Sequence, residues 1–418
     1  MNQTFLFVLV FFFGFQSFSN ATLKPEVSAC PSETQAFGWS EPEDQGLNIQ
    51  SLLELTEWVH NNPKLPLLSI LISKNGRVVY ELYTSSLGRE EAHYLMSVTK
   101  SVTSALVGVA IDKKILKDSS QNIVEILPQK LFPSQEKQSL FKNLSLKEIL
   151  GMSALDAPVA PHMKTPEAKK RLSDWFDSKN RVSFALTQHL LPSLGVDFQY
   201  TDITPSLAAG AVEYSSGLSL LDFANQALFQ PMEFQNQEWM HQDSEGIDNG
   251  AFGLRLRPID MQKFGILYLN GGCWNGKPLL SKKWTETSFT PWIKSKSILK
   301  DNDYGWYWWH YNWSTGWSAH IAAGWKGQRI AVFPEQKIVL TMTALVEDGT
   351  EDQLFGDVFK KFVVPMTKAP SPTTDINQAK LKLKQELSAV QMGPSRIPPT
   401  TEGRMIPSIA PKEKHRPF

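Results

Sequence analysis

The alternation of apolar and polar positions predicts two β-hairpins, one in each half of the chain. Residues 67–83 contain two runs rich in β-branched and aromatic residues on either side of Asn75-Gly76. An Asn-Gly pair between such runs is the strongest short-range signal for a hairpin. Residues 330–344 have the same form, with a Pro-Glu-Gln-Lys turn between two β-type runs.

Helical patterns dominate most of the remaining chain. Helices are predicted in segments 49–60, 256–270 and 352–364. Residues 98–112 are apolar and rich in small side chains, which predicts a helix that packs closely inside the core. Between about 115 and 240 the pattern is mainly helical, and Ser145 and Glu148 are spaced as a capping box. We interpret this range as an inserted helical region.

The N-terminal segment has the composition of an export signal. Its apolar run is too short to cross a membrane comfortably, and Ser19 and Ala21 fit a small-x-small cleavage site. We therefore predict a signal peptide at 1–21, a secreted or periplasmic protein and no integral membrane span after processing. No Lys or Arg precedes the run, so a retained anchor is the alternative. Residues 22–45, rich in Pro, Ser and Glu, are expected to form an extended lead-in.

The C-terminal segment after Pro365 is rich in Pro, Lys and Ser. It contains nine Lys or Arg residues against four Asp or Glu residues. This composition predicts that 366–418 is a disordered basic tail, with attachment to an acidic surface as the alternative.

Composition and charge narrow the class of protein. Apolar residues make up 42% of the chain, with 13 Trp and 24 Phe, which is ample material for a core. The formal net charge is zero, so there is no electrostatic reason to expect nucleic acid as a partner.

The chain has two cysteines, Cys30 and Cys273. A bridge between them would suit an oxidising compartment, but the sequence does not decide whether it forms. Residues 27–30 resemble a lipobox, yet Lys24 and Glu26 separate them from the apolar run, so we do not expect lipid anchoring.

The candidate chemistry begins at Ser97, which is followed three residues later by Lys100. In a helix this spacing puts the hydroxyl and the amine on one face. A serine becomes a good nucleophile when a neighbour takes its proton, and a buried lysine can assist. The backbone N–H of Ser97, at a helix N-terminus, can also stabilise an oxyanion.

The run from Met96 to Asp112 resembles the nucleophile helix of the serine β-lactamase and penicillin-binding-protein superfamily, in its class C and esterase branch. The superfamily's nucleophile motif is S-x-x-K. Its second motif, Tyr-x-Asn, is matched by Tyr200-Thr-Asp202, with aspartate in place of asparagine. The resemblance makes Tyr200 the candidate general base and places Asp202 near Lys100.

The superfamily's third motif, Lys-Thr-Gly on a strand, is not recognisable. Counted back from Pro334, its place falls on residues 319–321, so Ala322 is expected to supply the second oxyanion N–H. Residues 322–328 instead resemble the Ala-x-Gly-x-x-Gly-Gln run of esterase and amidase members such as the 6-aminohexanoate-dimer hydrolases. His320 and Trp325 join Asp202 as candidate substrate-binding residues.

The resemblance implies an α+β fold, in which helices flank an antiparallel sheet and a mainly helical domain is inserted. The hydrolase domain would span 46–365. It also implies a serine hydrolase that acts on a small ester or amide without metal or cofactor, with weak or absent β-lactamase activity because the motif's lysine is missing. A non-catalytic binding or assembly protein that keeps the fold is the alternative.

Overall fold

The computed structural model describes residues 30, 37–84, 88–158, 165–295, 302–369 and 375–396. The predicted signal peptide, including its cleavage site, lies outside these residues. Among them, no helix is both long and apolar enough to cross a membrane.

The strands in chain order are β1 (Gly38–Trp39), β2 (Leu67–Lys74), β3 (Arg77–Tyr83), β4 (His93–Tyr94), β5 (Leu155–Asp156), β6 (His189–Leu190), β7 (Glu238–Trp239), β8 (Leu254–Leu256), β9 (Cys273–Trp274), β10 (Lys277–Pro278), β11 (Ile293–Lys294), β12 (Asp303–Tyr304), β13 (Trp309–Asn312), β14 (Ser318–Gly324), β15 (Gln328–Phe333) and β16 (Ile338–Ala344). Nine of them form the main sheet, in the order β1-β3-β2-β16-β15-β14-β13-β12-β11. Apart from the parallel pair β1 and β3, its neighbours are antiparallel.

The helices in chain order are α1 (Ile49–Asn61), α2 (Val98–Asp112), α3 (Ile123–Ile126), α4 (Gln135–Leu140), α5 (Leu146–Leu150), α6 (Pro166–Phe176), α7 (Arg181–Thr187), α8 (Pro205–Ser216), α9 (Leu220–Ala224), α10 (Pro258–Leu269), α11 (Lys282–Phe289), α12 (Glu351–Val358), α13 (Val364–Met366) and α14 (Ile376–Gln391). All of α3 to α9 fall in the range interpreted as a helical insertion. The predicted capping box is present at the start of α5.

Helices cover both faces of the sheet. Tyr80 on β3 faces α1, where its hydroxyl is 2.9 Å from Thr56 Oγ1. Leu71 on β2 packs in a cluster with Ile259 at the start of α10. Ile72, which stands opposite Tyr80, and its neighbour Leu71 point to opposite faces because side chains alternate along a strand. The α+β architecture predicted from the sequence is therefore confirmed.

The first hairpin forms where the sequence predicted it. Asn75 and Gly76 have φ of 52° and 78° between β2 and β3. A two-residue type I′ turn, which matches the twist of the strands, requires positive φ at both central residues. The second hairpin, β15 and β16, is also present.

The N-terminal segment is tied to the domain in two places. β1 adds to the sheet beside β3, and Cys30 forms a disulfide with Cys273 on β9. The bridge answers the question that the sequence left open. A Cys30 sulfur in this bond cannot carry the thioether of a lipid anchor.

The prediction of a disordered tail is wrong for residues 376–391. These form α14, which buries Ala379, Leu383 and Val390. Its charged side chains pair with the N-terminal part of the domain, as Glu386 does with His60 of α1. Composition misled because lysines that suggest a solvated segment here form ion pairs with the N-terminal part of the domain, Lys380 with Glu43 and Lys382 with Glu57.

We expect truncation after residue 369 to lower the free energy of unfolding by about 3 kcal/mol or more, the scale for removing a few buried apolar side chains. The truncation also removes Arg396, whose guanidinium donates to the carbonyls of Val59, Asn62 and Leu65 at the end of α1. Urea unfolding measures the change. Truncation after Arg396 keeps these contacts and is the control; equal stability of the two truncated proteins would contradict the prediction.

Candidate active site

Ser97 lies at a sharp turn between a strand and a helix. After β4, Met96 has φ of 49°, in the left-handed region that residues other than glycine rarely adopt. Ser97 then precedes α2 and is partly exposed, whereas residues 98–110 are buried. The turn therefore presents one hydroxyl to solvent at the start of a core helix.

Lys100 lies one turn into α2 and is only 1% exposed. Its Nζ donates to Ser97 Oγ at 2.9 Å, to Asp202 Oδ1 at 2.6 Å and to the carbonyl of Ala251 at 3.1 Å. An ammonium has three N–H donors, and each has an acceptor here.

These surroundings favour the charged form of Lys100. Burial acts to lower its pKa, but the charges of Asp202 and Tyr200 outweigh burial and raise the pKa above its usual value. Asp202 is itself fully buried, and its Oδ2 has no hydrogen-bond partner in the described part of the chain. Lys100 and Asp202 therefore form a buried ion pair.

Tyr200 lies in the loop before α8 and faces Lys100. The Lys100 Nζ is 5.0 Å from the centroid of the Tyr200 ring. Trp309 of β13 stacks on this ring at 5.6 Å, and Tyr304 of β12 meets it edge-on at 6.3 Å. Two sheet residues thus fix the orientation of the tyrosine beside the ammonium.

β14 makes a close approach to the nucleophile segment at Gly324. A methyl group on Gly324 would lie 2.3 Å from the carbonyl oxygen of Leu95 and 3.2 Å from Met96 Cβ. Only glycine therefore fits at this crossing. Ala322, the oxyanion donor expected from the sequence, is two residues upstream, opposite Ile330 in the core.

His320, a candidate substrate-binding residue, lies on β14 upstream of the crossing at Gly324. It is four residues before Gly324 on β14, about 13 Å at the usual rise of a strand. Its ring stacks on Phe289 at 3.9 Å, and its Nδ1 is 3.2 Å from that of His310. Burial, with a smaller effect of His310, lowers its pKa to about 3. These contacts make it a neutral packing residue.

Trp325, the residue after Gly324, lies near the nucleophile segment. It packs against a small cluster that contains Tyr94 and Met96. The structure thus brings Ser97, Lys100, Tyr200, Asp202 and Trp325 to one site.

Two members of the site were not found from the sequence. The carbonyl of Ala251 accepts from Lys100, and Trp309 supports Tyr200. A backbone acceptor leaves no signal in residue type. Trp309 belongs to a run so rich in aromatics, 304–313, that the sequence does not single it out.

The described residues contain no group of three or more His, Cys, Asp or Glu side chains placed to hold a metal ion.

The chain is similar in sequence to a known hydrolase. It is 23% identical over 224 residues to the 6-aminohexanoate-dimer hydrolase of Paenarthrobacter ureafaciens, a match that covers 52% of this chain and 56% of the relative. The chain thus spans little more than half of that relative's length.

Solved structures show the same fold. One is a 6-aminohexanoate-dimer hydrolase homologue from Bacillus anthracis, with a TM-score of 0.61 and 18% identity, covering 80% of this chain and 88% of the other. Another is EstCE1, described as a hydrolase with promiscuous acyltransferase activity, with a TM-score of 0.58 and 12% identity, covering 84% and 99%.

The family model named Beta-lactamase matches residues 55–357, which include every residue of the site described above. The chain belongs to the Beta-lactamase family, within the superfamily of serine β-lactamases and penicillin-binding proteins.

Proposed function

We propose that this protein is a serine hydrolase that cleaves an ester or amide bond through an acyl-enzyme on Ser97. The proposal rests on the 2.9 Å contact between Ser97 Oγ and Nζ of the buried Lys100, beside Tyr200. A serine hydroxyl needs such neighbours to lose its proton. The names of the relatives, a dimer hydrolase and an acyl-transferring hydrolase, support the same class of reaction.

In the reactive form, the pair of Lys100 and Tyr200 has lost one proton, so that a phenolate lies beside the ammonium. Ser97 Oγ attacks the substrate carbonyl and its proton passes to the Tyr200 oxygen. Tyr200 then gives this proton to the leaving alcohol or amine as the carbon–oxygen or carbon–nitrogen bond breaks. Water attacks the acyl-enzyme by the same steps in reverse and releases the acid.

The negative oxygen of the tetrahedral intermediate needs N–H donors near Ser97. We assign the backbone N–H of Ser97, at the start of α2, as one donor. The second is the N–H of Trp325, because the crossing at Gly324 brings this part of β14 against the nucleophile segment. Ala322, the donor expected from the sequence, lies upstream of that crossing.

A non-catalytic binding protein is the competing function, and covalent labelling separates the two. We expect intact-mass measurement to find one adduct after incubation with a fluorophosphonate probe, and none in Ser97→Ala. Ser104→Ala is the matched control, since Ser104 is a buried serine of the same helix. An unlabelled wild type, or labelling that survives in Ser97→Ala, would reject the hydrolase.

We expect p-nitrophenyl esters to be hydrolysed with a higher kcat/KM than the cephalosporin nitrocefin. The lysine of the Lys-Thr-Gly motif is expected to hold the carboxylate common to β-lactams, and β14 contains neither Lys nor Arg. The Asp202 carboxylate adds repulsion to an anionic substrate. Measured values that are equal for the two substrates would show that another group holds the carboxylate.

We also propose that the protein is exported. The support is the signal-like apolar run at the N-terminus and the disulfide between Cys30 and Cys273, a bond that persists in oxidising compartments. Fractionation of cells that express the full chain tests this proposal. We expect the protein in the exported fraction, cleaved near residue 21.

A further inference from the structure

A small apolar cluster adjoins the nucleophile and is separate from the main core. It consists of buried Leu68, Tyr94, Met96 and Leu345, with the partly buried Met240 and Trp325 packed against them. Met96 is next to Ser97 in the chain, and Trp325 follows the crossing at Gly324. The partly exposed members of the cluster, Met240 and Trp325, therefore pack around the segment that carries the reacting serine.

One wall of the cluster is held in place by polar contacts at its outer edge. The Trp325 indole donates to Asp348 Oδ1 at 2.8 Å. Lys326 donates to the same oxygen at 2.7 Å, and its Nζ lies 4.7 Å from the centroid of the Trp325 ring. Met240 supplies an adaptable side chain, because its thioether chain has three rotatable bonds. A rigid ring and a flexible apolar chain can together accommodate groups of different length.

The charges around the cluster are compensated. Arg255 lies 5.4 Å from the Tyr94 ring and forms an ion pair with Glu238. The His241 ring stacks on the Tyr94 ring, with the centroids 5.9 Å apart. Burial, together with the charge of Arg181, lowers the pKa of His241 to about 4. At neutral pH the histidine is uncharged. The surroundings therefore suit an uncharged group.

The position of Tyr200 indicates which part of a substrate would lie here. The leaving alcohol or amine must face Tyr200, which gives it a proton. Tyr200 packs with Tyr304 and Trp309, which belong to the main core and not to the cluster. The acyl group, on the other side of the carbonyl carbon, is then directed towards Met240 and Trp325.

We infer that Tyr94, Met240 and Trp325 form an acyl pocket that selects uncharged, apolar acyl groups. This rests on the proposed hydrolase function and names the substrate class for it. A methylene in a fully formed hydrophobic pocket changes kcat/KM by about ten-fold or more. Met240 and Trp325 are only partly buried, so we expect a gain of about this size for the whole acyl chain and not for each methylene.

Three p-nitrophenyl esters test the pocket: the acetate, the hexanoate and the half-ester of adipic acid, which has the hexanoate length and ends in a carboxylate. We expect the hexanoate to exceed the acetate in kcat/KM by about ten-fold or more, and the adipate half-ester to lose this gain. Met240→Asp should lower the hexanoate-to-acetate ratio about ten-fold, whereas Met240→Leu, of similar volume, should keep it. Trp325→Ala is a second variant that should lower the same ratio.

Labelling by the fluorophosphonate probe separates the two proposals. A wild type that takes up no probe rejects the hydrolase itself. A labelled wild type with no acyl-length preference, or labelled variants that keep the wild-type ratio, overturns the acyl pocket alone. In a set of hexanoate esters with different alcohols, the kcat/KM values relative to one another should be the same in wild type and Met240→Asp. If Met240→Asp changes only these relative values, the cluster binds the leaving group and the inference is overturned.

Discussion

Replacing Lys100 with methionine is expected to reduce kcat/KM on p-nitrophenyl esters by about a thousand-fold, the scale of a lost proton-transfer group. It should also lower the free energy of unfolding by about 3 kcal/mol, because removing one partner of a buried ion pair leaves the other uncompensated. Lys100 and Asp202 are each 1% exposed in their side chains, and their charged atoms are 2.6 Å apart. Stability is lost because the Asp202 carboxylate stays buried without an opposite charge.

A second substitution separates stability from chemistry. Lys100→Met combined with Asp202→Leu replaces both charges with apolar groups, a change that is often neutral for stability. We expect the double variant to regain wild-type stability within about 1 kcal/mol and to regain none of the activity. Urea unfolding and ester kinetics measure the two effects. Recovery of activity with stability would mean that Lys100 serves the fold and takes no part in the reaction.

The parts of the molecule that the sequence predicted correctly are those set by neighbouring residues. Asn75-Gly76 forms its hairpin because its turn conformation depends on two residues. Ser97 and Lys100 meet because they are one helical turn apart. The contact of Lys100 with Asp202, 102 residues away, was expected only through the resemblance to a known motif.

The parts that the sequence did not predict depend on contacts between distant segments. Counting back from Pro334 led to Ala322, but the count could not tell where the strand crosses the nucleophile segment. That crossing, at Gly324, is set by packing of β14 against Leu95. The disulfide joins residues 243 positions apart, and α14 packs against α1, more than 300 residues earlier in the chain. None of these contacts has a local signal in the sequence.

Asp202→Asn is expected to move the pH at which activity rises to a lower value by about one to three units. Lys100 and Tyr200 must lose one proton between them before Ser97 can lose its own. The Asp202 carboxylate stabilises the proton-bound form of this pair, which is the direction in which it raises the pKa of Lys100. Without that charge, the net positive charge of the fully protonated pair is no longer stabilised, so the proton leaves at lower pH.

The measurement is the pH profile of kcat/KM on a p-nitrophenyl ester, in which the apparent pKa belongs to the pair and not to one residue. Asp260→Asn is the matched control: Asp260 is a buried carboxylate that binds Arg257 at 2.7 Å and Lys263 at 3.0 Å on α10. Its profile should coincide with the wild type. Coincident profiles for wild type and Asp202→Asn would mean that the charge of Asp202 does not act on the proton that the Lys100 and Tyr200 pair loses on activation. Because asparagine is the usual residue of the Tyr-x-Asn motif, a shift to lower pH would show that the aspartate of this chain sets its working range towards higher pH than the motif requires.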